Sequence, residues 1–407
     1  MRNNLLIVSL FFFTNCEEIG KDYNWYKEPP GFNRHYGSLG YDYGWSAAYS
    51  PFDEGIIISG QRAPLIGGKS DLWAIKTDSQ GLMQWEKKLG GNENDAGYDV
   101  ISTSDACFIL VGYSWSFGNA QQIYAVKLDF HGKIVWEKNY GGTMWDVGNS
   151  IVEVSDGGYL IAGYSNSPGI SSGNTDMFLI KINVNGEVVW QKSYGNQAFP
   201  NHEWAYDVLE TKNQDIIIVG SRDRYSKGGK NGLIYRLDKH GTVIWEKEIM
   251  DNSQISESIY SISEGFDGSY YLCTSLNSIS SSDVYQPKVI KMDGAGNIGW
   301  QRILPTNSRE YHQFRAESTF DGGLVVAGSS ASLNSALGYK ENAFMTKINN
   351  LGNTLWTFPY GSDDEDDWGW SVFETPKTNL VLVGSTKSFG SSLFDILLVG
   401  TNPDGIQ

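Results

Sequence analysis

GNSIVEVSDGGYLIAGYSNSPGISSGNTDMFLIKINVNGEVVWQKSYG, residues 148–195, is the stretch that decides the fold. It contains two hairpin signals, DGG at 156–158 and NG at 185–186. Glycine adopts positive φ without steric cost, so these signals favour tight turns between antiparallel strands. The stretch therefore predicts four short strands, named a to d: a at about 148–154, b at about 159–164, c at about 177–183, and d, which carries Trp190 and ends at Tyr194.

The same unit recurs along the chain. A short apolar run that usually closes in glycine appears seven times, and a tryptophan follows a turn glycine six times, at intervals of 51 to 56 residues. Units of this kind bury their faces only against their neighbours, so the repeat predicts one closed structure. The runs FLIKI, LIYRL and FMTKI have too few polar residues for a surface sheet. We therefore predict an all-β, seven-bladed β-propeller with four antiparallel strands in each blade.

The two ends of the chain predict how the ring closes. The last unit begins strand a near Gly369 and stops at TNPDGIQ, without a strand d of its own. FNRHYGS at 32–38 matches the d-strand endings WEKNYGG and WQKSYGN. We predict that this N-terminal strand completes the last blade and so removes the exposed sheet edges. The predicted propeller covers residues 31–407.

Residues 1–15 predict a signal peptide, because Arg2 precedes a nine-residue apolar run, Leu5 to Phe13, that is too short to span a bilayer. The run stops at Thr-Asn-Cys, which resembles a loose bacterial lipobox. An ordinary secretory signal is the alternative, but we favour lipidation of Cys16, since a lone cysteine directly after the run otherwise has no role. Residues 16–30 are then a tether. The predicted location is the bacterial cell envelope, as an outer membrane lipoprotein that faces the periplasm or the exterior, with the membrane as partner.

Charge excludes one class of partner. The formal net charge of −16 argues against nucleic acid, whose phosphates require a basic surface. No pattern of nucleophile and base or phosphate loop stands out, so we predict no cofactor and assign no catalytic residue. We expect a monomer.

The patterns DGGYLIAGYS and LIKxDxxGxxxWxKxYGG resemble the seven-bladed propeller repeats of secreted and surface proteins in bacteria and archaea, over most of the chain. DxxGxxxW is also similar, more distantly, to the tryptophan repeat of quinoprotein propellers. The first resemblance implies little chemistry, because most members of that family have no assigned activity. Quinoprotein dehydrogenases carry adjacent cysteines near their cofactor, and this sequence has no such pair, so their activity is not carried over.

Acidic residues recur just before strand a. They stand two residues ahead of it in five units, with Ser256 and His312 at the matching positions of units 5 and 6. One interpretation is a partial ring of carboxylates that binds a cation such as Ca²⁺, or a polyhydroxylated ligand. The other is that each carboxylate closes its own loop by accepting backbone N–H groups. We favour the second, since every blade needs a scaffold and one site is enough. The five acids are Asp42, Asp95, Asp146, Glu203 and Asp367.

Departures from the repeat are a better guide to a ligand site. In propellers the d–a and b–c loops emerge on one face around the central channel, where sites form. The seventh unit places SDDEDDWGW, residues 362–370, on that face. Aromatic faces beside carboxylates suit sugar rings, although Trp45 and Trp370 also suit packing in the channel or between blades. The candidate ligand residues are Asp363, Asp364, Asp366, Asp367, Trp368, Trp370, Trp145 and Trp204.

These observations predict a non-enzymatic binding or scaffold module for a glycan, peptide or protein partner, acting through this loop face. The alternative is an exported glycan-active hydrolase or lyase that uses loop carboxylates such as Asp363 and Asp366. Nothing in the sequence positions a general acid against a base, so the binding module is the favoured prediction.

Overall fold

The computed structural model describes residues 31–407 except 119, 168–173, 196–200, 224–227, 251–254, 279–280, 307, 309–312, 332–339, 363 and 390–392. The predicted signal peptide, the predicted lipidation site Cys16 and the predicted tether lie outside the described residues. Across the part of the chain that is described, no helix is long and apolar enough to cross a membrane.

The strands form seven four-stranded sheets. Blade 1 contains β2 (Tyr41–Tyr49), β3 (Ile56–Ala63), β4 (Asp71–Thr77) and β5 (Met83–Leu89), and it follows β1 (Phe32–Tyr36). Blade 2 contains β6 (Asp95–Ser102), β7 (Cys107–Ser114), β8 (Gln122–Asp129) and β9 (Ile134–Tyr140). Blade 3 contains β10 (Asp146–Glu153), β11 (Tyr159–Ser165), β12 (Asp176–Ile182) and β13 (Val188–Tyr194). Blade 4 contains β14 (Glu203–Glu210), β15 (Ile216–Asp223), β16 (Lys230–Leu237) and β17 (Val243–Ile249).

The remaining blades follow the same order. Blade 5 contains β18 (Ile255–Glu264), β19 (Tyr270–Ser278), β20 (Ser281–Met292) and β21 (Ile298–Ile303). Blade 6 contains β22 (Arg315–Ser318), β23 (Leu324–Ala331), β24 (Glu341–Ile348) and β25 (Thr354–Tyr360). Blade 7 contains β26 (Asp367–Glu374), β27 (Leu380–Thr386), β28 (Asp395–Thr401) and β1. All pairings are antiparallel, and the predicted seven-bladed β-propeller is confirmed.

Two-sided burial of strand c is also confirmed. Strands β12 and β24, which hold FLIKI and FMTKI, are buried along their whole length. Their side chains enter apolar clusters that join one blade to the next, such as the cluster of Leu179 from blade 3 with Ile218 and Leu233 from blade 4. The hydrophobic core is therefore a series of layers between blades, which ties each blade to its neighbours.

The ring closes as the sequence predicts. Strand β1 pairs with β28 along its length, from Phe32 opposite Gly400 to Tyr36 opposite Ile396. Phe32 and Tyr36 also pack in a cluster with Ile56 and Trp73 of blade 1. The N-terminal strand thus completes blade 7 and contacts blade 1.

The repeated tryptophans and tyrosines of strand d form hydrogen bonds with the c–d turn of the next blade. Trp136 Nε1 donates to the carbonyl of Val184 at 3.0 Å, and Tyr140 Oη donates to the carbonyl of Gly186 at 2.8 Å, both in the c–d turn of blade 3. Gly186 has φ of 76°, and a Cβ there would lie 3.2 Å from the Trp136 ring. The turn glycine therefore supplies both the left-handed backbone and the space for the neighbouring ring.

Strand a positions the functional site, because it carries a β-bulge near its first residues. The pairing register shifts at Gly148/Ser150 in blade 3, and equivalent shifts occur in five other blades. A bulge leaves one residue unpaired and re-aims its side chain. The bulge residues are Trp45, Tyr98, Asn149, Tyr206, Tyr260 and Trp370.

Candidate functional site

A cavity of about 500 Å³ lies among the beginnings of the a strands. Its described lining comes from blades 1, 2, 3, 4, 6 and 7. A cavity that contacts so many blades lies on the axis of the ring, at the mouth of the channel on the face where the d–a and b–c loops emerge. The lining contains the aromatic residues Trp45, Tyr98, Tyr164, Trp204, Tyr206 and Trp370, and the polar residues Asn149, Lys230, Gln313 and Arg315.

The aromatic wall is built largely from bulge residues. Trp45 packs against Trp370 with ring centroids 4.7 Å apart, stacks on Tyr43 at 5.5 Å and contacts Tyr98 edge-on at 5.8 Å. Trp370 Nε1 donates to Ser385 Oγ at 3.3 Å. These contacts fix the orientation of the rings, so the wall exists before any ligand binds.

Two basic side chains reach this cavity. Lys230 Nζ lies 3.9 Å from the centroid of the Trp204 ring, a cation–π contact. Arg315 of blade 6 pairs with Ala327, and this is the position that Ser371, directly after the bulge, occupies in blade 7 opposite Val383. Among the described residues, neither cation has a carboxylate oxygen within the 4.0 Å of an ion pair. Both positive charges are therefore available at the channel mouth.

Acidic side chains occupy the channel further along the a strands. The Asp207 carboxylate accepts from Ser150 Oγ at 2.7 Å and from the backbone N–H of Ile262 at 2.9 Å, which links blades 3, 4 and 5. Burial raises the pKa of Asp207, and the charge of Arg315 opposes this. Burial and the charge of Asp207 raise the pKa of Glu317 to about 7, against the opposing effects of Ser263 and Arg315. Asp207 and Glu317 belong to blades 4 and 6, so their repulsion links two blades that are not adjacent.

The recurring acids at the start of strand a close their loops. Asp95 Oδ2 accepts from Gly91 N and from Ser116 Oγ, each at 2.8 Å. Asp146 does the same with Gly142 N and Ser167 Oγ, each at 2.8 Å. Asp42 and Asp367 likewise accept from backbone N–H and hydroxyl groups, while Glu203 pairs with Arg222 at 2.8 Å. Within the described ranges, no group of three or more His, Cys, Asp or Glu side chains could hold a metal ion.

The predicted register of these acids is wrong in two respects. The acids do not precede strand a, because Asp95, Asp146, Glu203 and Asp367 are its first residues. In blade 5 the matching residue is Glu257, not Ser256. Glu257 lies two residues before Ile259, the last paired residue ahead of the bulge, and Asp42 lies two residues before Gly44, which has the same place in blade 1. Glu257 is buried and pairs with the buried Lys288 at 2.7 Å. His312 lies outside the described residues.

The acidic segment of blade 7 is divided between different surroundings. Asp363 lies outside the described residues, and Asp364 is exposed. Asp366 Oδ2 lies 3.5 Å from Lys340 Nζ and 3.3 Å from Lys387 Nζ. Asp367 is fully buried in its loop. These acids are therefore separate from the described lining of the cavity.

The four candidate tryptophans also separate. Trp204 and Trp370 line the cavity. Trp368 stacks on Phe394 with centroids 4.0 Å apart. Trp145 is 54% exposed and its nearest aromatic neighbour among the described contacts is Trp115, at 6.5 Å. The structure thus brings two of the four to the channel mouth.

Sequence reasoning missed the polar lining, which comes from departures in blades 4 and 6. At the position of Arg315 the other blades carry Ser46, Asp99, Ser150, Asp207, Ser261 and Ser371. Gln313 stands where four blades carry glycine, and Lys230 stands where blades 1, 2 and 3 carry Ser70, Gln121 and Thr175. An alignment of the units on the bulge would have exposed these differences.

Comparison with known proteins supports the fold and leaves the chemistry open. No protein-family model and no curated protein sequence matches this chain. Among solved structures, an ulvan lyase from a new family of polysaccharide lyases aligns with a TM-score of 0.59 at 11% identity, covering 91% of this chain and 96% of that one. An α-L-arabinofuranosidase from Fusarium graminearum, in complex with an iminosugar inhibitor, aligns with a TM-score of 0.51 at 10% identity, covering 93% and 98%.

A third solved structure belongs to a different functional class. The Pan2 WD40 domain of Neurospora crassa aligns with a TM-score of 0.52 at 11% identity, covering 88% of this chain and 89% of that one. Identities this low indicate a shared propeller fold and nothing about activity. The function must therefore be argued from the site itself.

Proposed function

We propose that this protein is a non-enzymatic propeller that binds a glycan in the cavity at the channel mouth. The observation that carries the proposal is the cavity wall, whose described residues include six aromatic side chains and four polar ones. Aromatic rings stack on the apolar faces of sugars, and polar side chains between them form hydrogen bonds with hydroxyl groups.

The dimensions of the site favour a saccharide over a folded protein partner. A cavity of about 500 Å³ falls in the range of small-ligand sites. A stable protein interface instead needs about 800 Å² of contact on each partner, mostly from a broad surface. One or two sugar units fit the cavity, and a longer chain extends from it across the loop face.

The surroundings of the cavity favour binding over hydrolysis. A glycosidase needs two carboxyl groups that flank the scissile bond. Among the described residues that line the cavity, none is Asp or Glu. The hydrolase alternative uses Asp363 and Asp366, but Asp366 contacts Lys340 and Lys387 and does not line the described part of the cavity.

The tyrosines of the cavity also favour binding over elimination. A tyrosine that removes a proton works best when its pKa lies near the operating pH. Burial raises the pKa of Tyr98 and of Tyr164, so both remain protonated. Protonated tyrosines donate hydrogen bonds to a bound sugar.

The cellular setting belongs to the same proposal. Residues 1–15 act as a signal peptide, and lipid on Cys16 holds the propeller at the bacterial outer membrane. The apolar run before Cys16 and the lipobox-like Thr-Asn-Cys support this arrangement. Radioactive palmitate labelling of the wild-type protein and of Cys16→Ser tests it: we expect label in the wild type alone, and equal labelling would exclude Cys16 as the acceptor.

A glycan array followed by fluorescence titration tests the binding function. We expect at least one oligosaccharide to change the tryptophan emission, because Trp45, Trp204 and Trp370 line the cavity. Trp204→Ala should weaken that binding about tenfold, the loss of one stacking contact. Trp145→Ala is the matched control, since Trp145 is exposed outside the described lining.

Three results would contradict the proposal. The first is that no glycan binds. The second is equal loss of affinity in Trp145→Ala and Trp204→Ala, which would place the site elsewhere. The third is release of reducing ends or unsaturated products from the bound glycan, which would favour the hydrolase or lyase.

A further inference from the structure

We propose that the saccharide is acidic, and that Lys230 and Arg315 bind its carboxylate or sulfate group. This inference rests on the proposed glycan-binding function and adds the chemical class of the ligand. It is carried by two cationic side chains that meet at one aromatic cavity on a chain whose formal net charge is −16.

Both cations are departures from the repeat. Ser46, Ser150, Ser261 and Ser371 stand at the Arg315 position in four blades, and the first three form hydrogen bonds with the adjacent blade. Strand c of blades 1 to 3 is preceded by uncharged residues at the Lys230 position. A residue needed by the scaffold recurs in several blades, so a basic side chain that occurs at its position in one blade alone points to a local role.

The scaffold pairs other buried cations with carboxylates. Arg222 lies within 2.8 Å of Glu203, and Lys288 lies 2.7 Å from Glu257. Lys76 and Lys127 pair with Asp53 at 2.6 Å and with Asp105 at 2.7 Å. Within the described residues, Lys230 and Arg315 have no such partner inside 4.0 Å. A partly buried cation without a carboxylate partner is best compensated by an anionic ligand.

Three acidic residues lie near these two cations. Asp223, beside Lys230 in the paired register, has its pKa raised by burial, and so does Asp207, which faces Arg315 from blade 4. Glu317, the other acid that faces Arg315, has a pKa of about 7. Burial raises the pKa of each of these carboxyl groups, and among the described residues none of them lies within 4.0 Å of the Lys230 or Arg315 side-chain nitrogens.

The two cations suit a charged sugar in complementary ways. The planar guanidinium of Arg315 offers paired donors that match the two oxygens of a carboxylate or sulfate. Lys230 is held over Trp204 at 3.9 Å, so its ammonium group and the ring that would contact a sugar face form one unit. A sugar ring on the aromatic wall can then place its charged substituent beside the cations.

Calorimetry with matched probes tests the inference. The first pair is trigalacturonic acid and its methyl ester, which differ in carboxylate charge. The second is a sulfated galactan tetrasaccharide and its desulfated form, which differ in sulfate. We expect the charged member of one pair to bind about tenfold or more tightly than its neutral counterpart. The pair that shows the difference identifies the anionic group.

Variants assign that difference to the two side chains. Lys230→Met and Arg315→Met should each reduce binding of the charged probe about tenfold and leave binding of the neutral probe unchanged. Arg315→Lys should recover part of the loss, which distinguishes charge from folding. Lys239→Met is the matched control, since Lys239 is exposed in the turn between β16 and β17, on the opposite face.

The outcomes separate this inference from the proposed function. Equal affinity for both members of both pairs, or unchanged binding of the charged probe by Lys230→Met and Arg315→Met, would overturn the acidic ligand while glycan binding stands. Failure of every saccharide, charged or neutral, would overturn both.

Discussion

Replacing Glu317 by Gln should remove a pH dependence of stability that is built into the central channel. The Glu317 carboxyl is raised from an ordinary pKa of 4.5 to about 7, by burial first and by Asp207 second. The folded protein therefore binds a proton at this site more tightly than the unfolded chain does. Stability from this group is fully present below pH 4.5, falls as the pH rises to about 7, and stays at its lowest value above that.

The size of the effect follows from the shift. A rise from 4.5 to about 7 is about 2.5 pH units, equivalent to about 3 kcal/mol of unfolding free energy between the two ends of that range. For a propeller of this length, 3 kcal/mol corresponds to about 4 °C in melting temperature. Glutamine has the same shape and no charge. The melting temperature of Glu317→Gln minus that of the wild type should therefore be about 4 °C larger at pH 8 than at pH 4.5.

Differential scanning calorimetry at pH 4.5, 5.5, 6.5 and 8 measures this. Other acids whose pKa is raised by burial, such as Asp42, titrate in both proteins, so the difference between the two curves reports Glu317 together with its interaction with Asp207. Glu187→Gln, at an exposed turn, is the control and should run parallel to the wild type. A Glu317→Gln curve that also runs parallel to the wild type would refute the buried, repelled state of Glu317.

Three further predictions test the scaffold, each by thermal melting of the purified protein. Gly186→Ala should destabilise the fold by about 1 kcal/mol more than Gly157→Ala. Both glycines have positive φ, but of the two only Gly186 lies against a neighbouring tryptophan. Equal losses would contradict a stabilising contact between Gly186 and Trp136. Lys288→Met should cost about 3–5 kcal/mol by leaving Glu257 buried without its cation, and Lys288→Met with Glu257→Gln should recover much of it; no recovery would assign the loss to packing. Phe32→Ala should cost about 3–5 kcal/mol, because Phe32 is 8% exposed in the closing strand, and a negligible loss would mean that closure contributes little to stability.

The blades and their closure could be read from local signals. In residues 148–195 the glycine turns and the alternation of apolar runs predict four strands, and the structure places them at Asp146–Glu153, Tyr159–Ser165, Asp176–Ile182 and Val188–Tyr194. Repetition made these signals reliable, since the same order of apolar runs and glycine turns recurs in each unit. The match of FNRHYGS to other d strands identified the closing partner for the same reason.

The ligand site was predicted less well. The sequence directed attention to the acidic segment of blade 7, yet Asp366 contacts two lysines and Asp367 is buried in its own loop. Trp370 and Trp204 do line the cavity. The acids and the two tryptophans differ in where their side chains point. Proximity along the chain does not show which side chains of a loop face the ring axis.

By itself, the sequence determined the number of blades, their strands and the strand that closes the ring, because turns and strand burial depend on residues close together in the chain. The tertiary structure alone decided which side chains meet at the channel mouth. Lys230 and Arg315 are separated by more than a full blade in sequence and come to one cavity only because the closed ring brings blades 4 and 6 to the same channel mouth. Such convergence depends on the curvature of the whole ring, which no single repeat encodes.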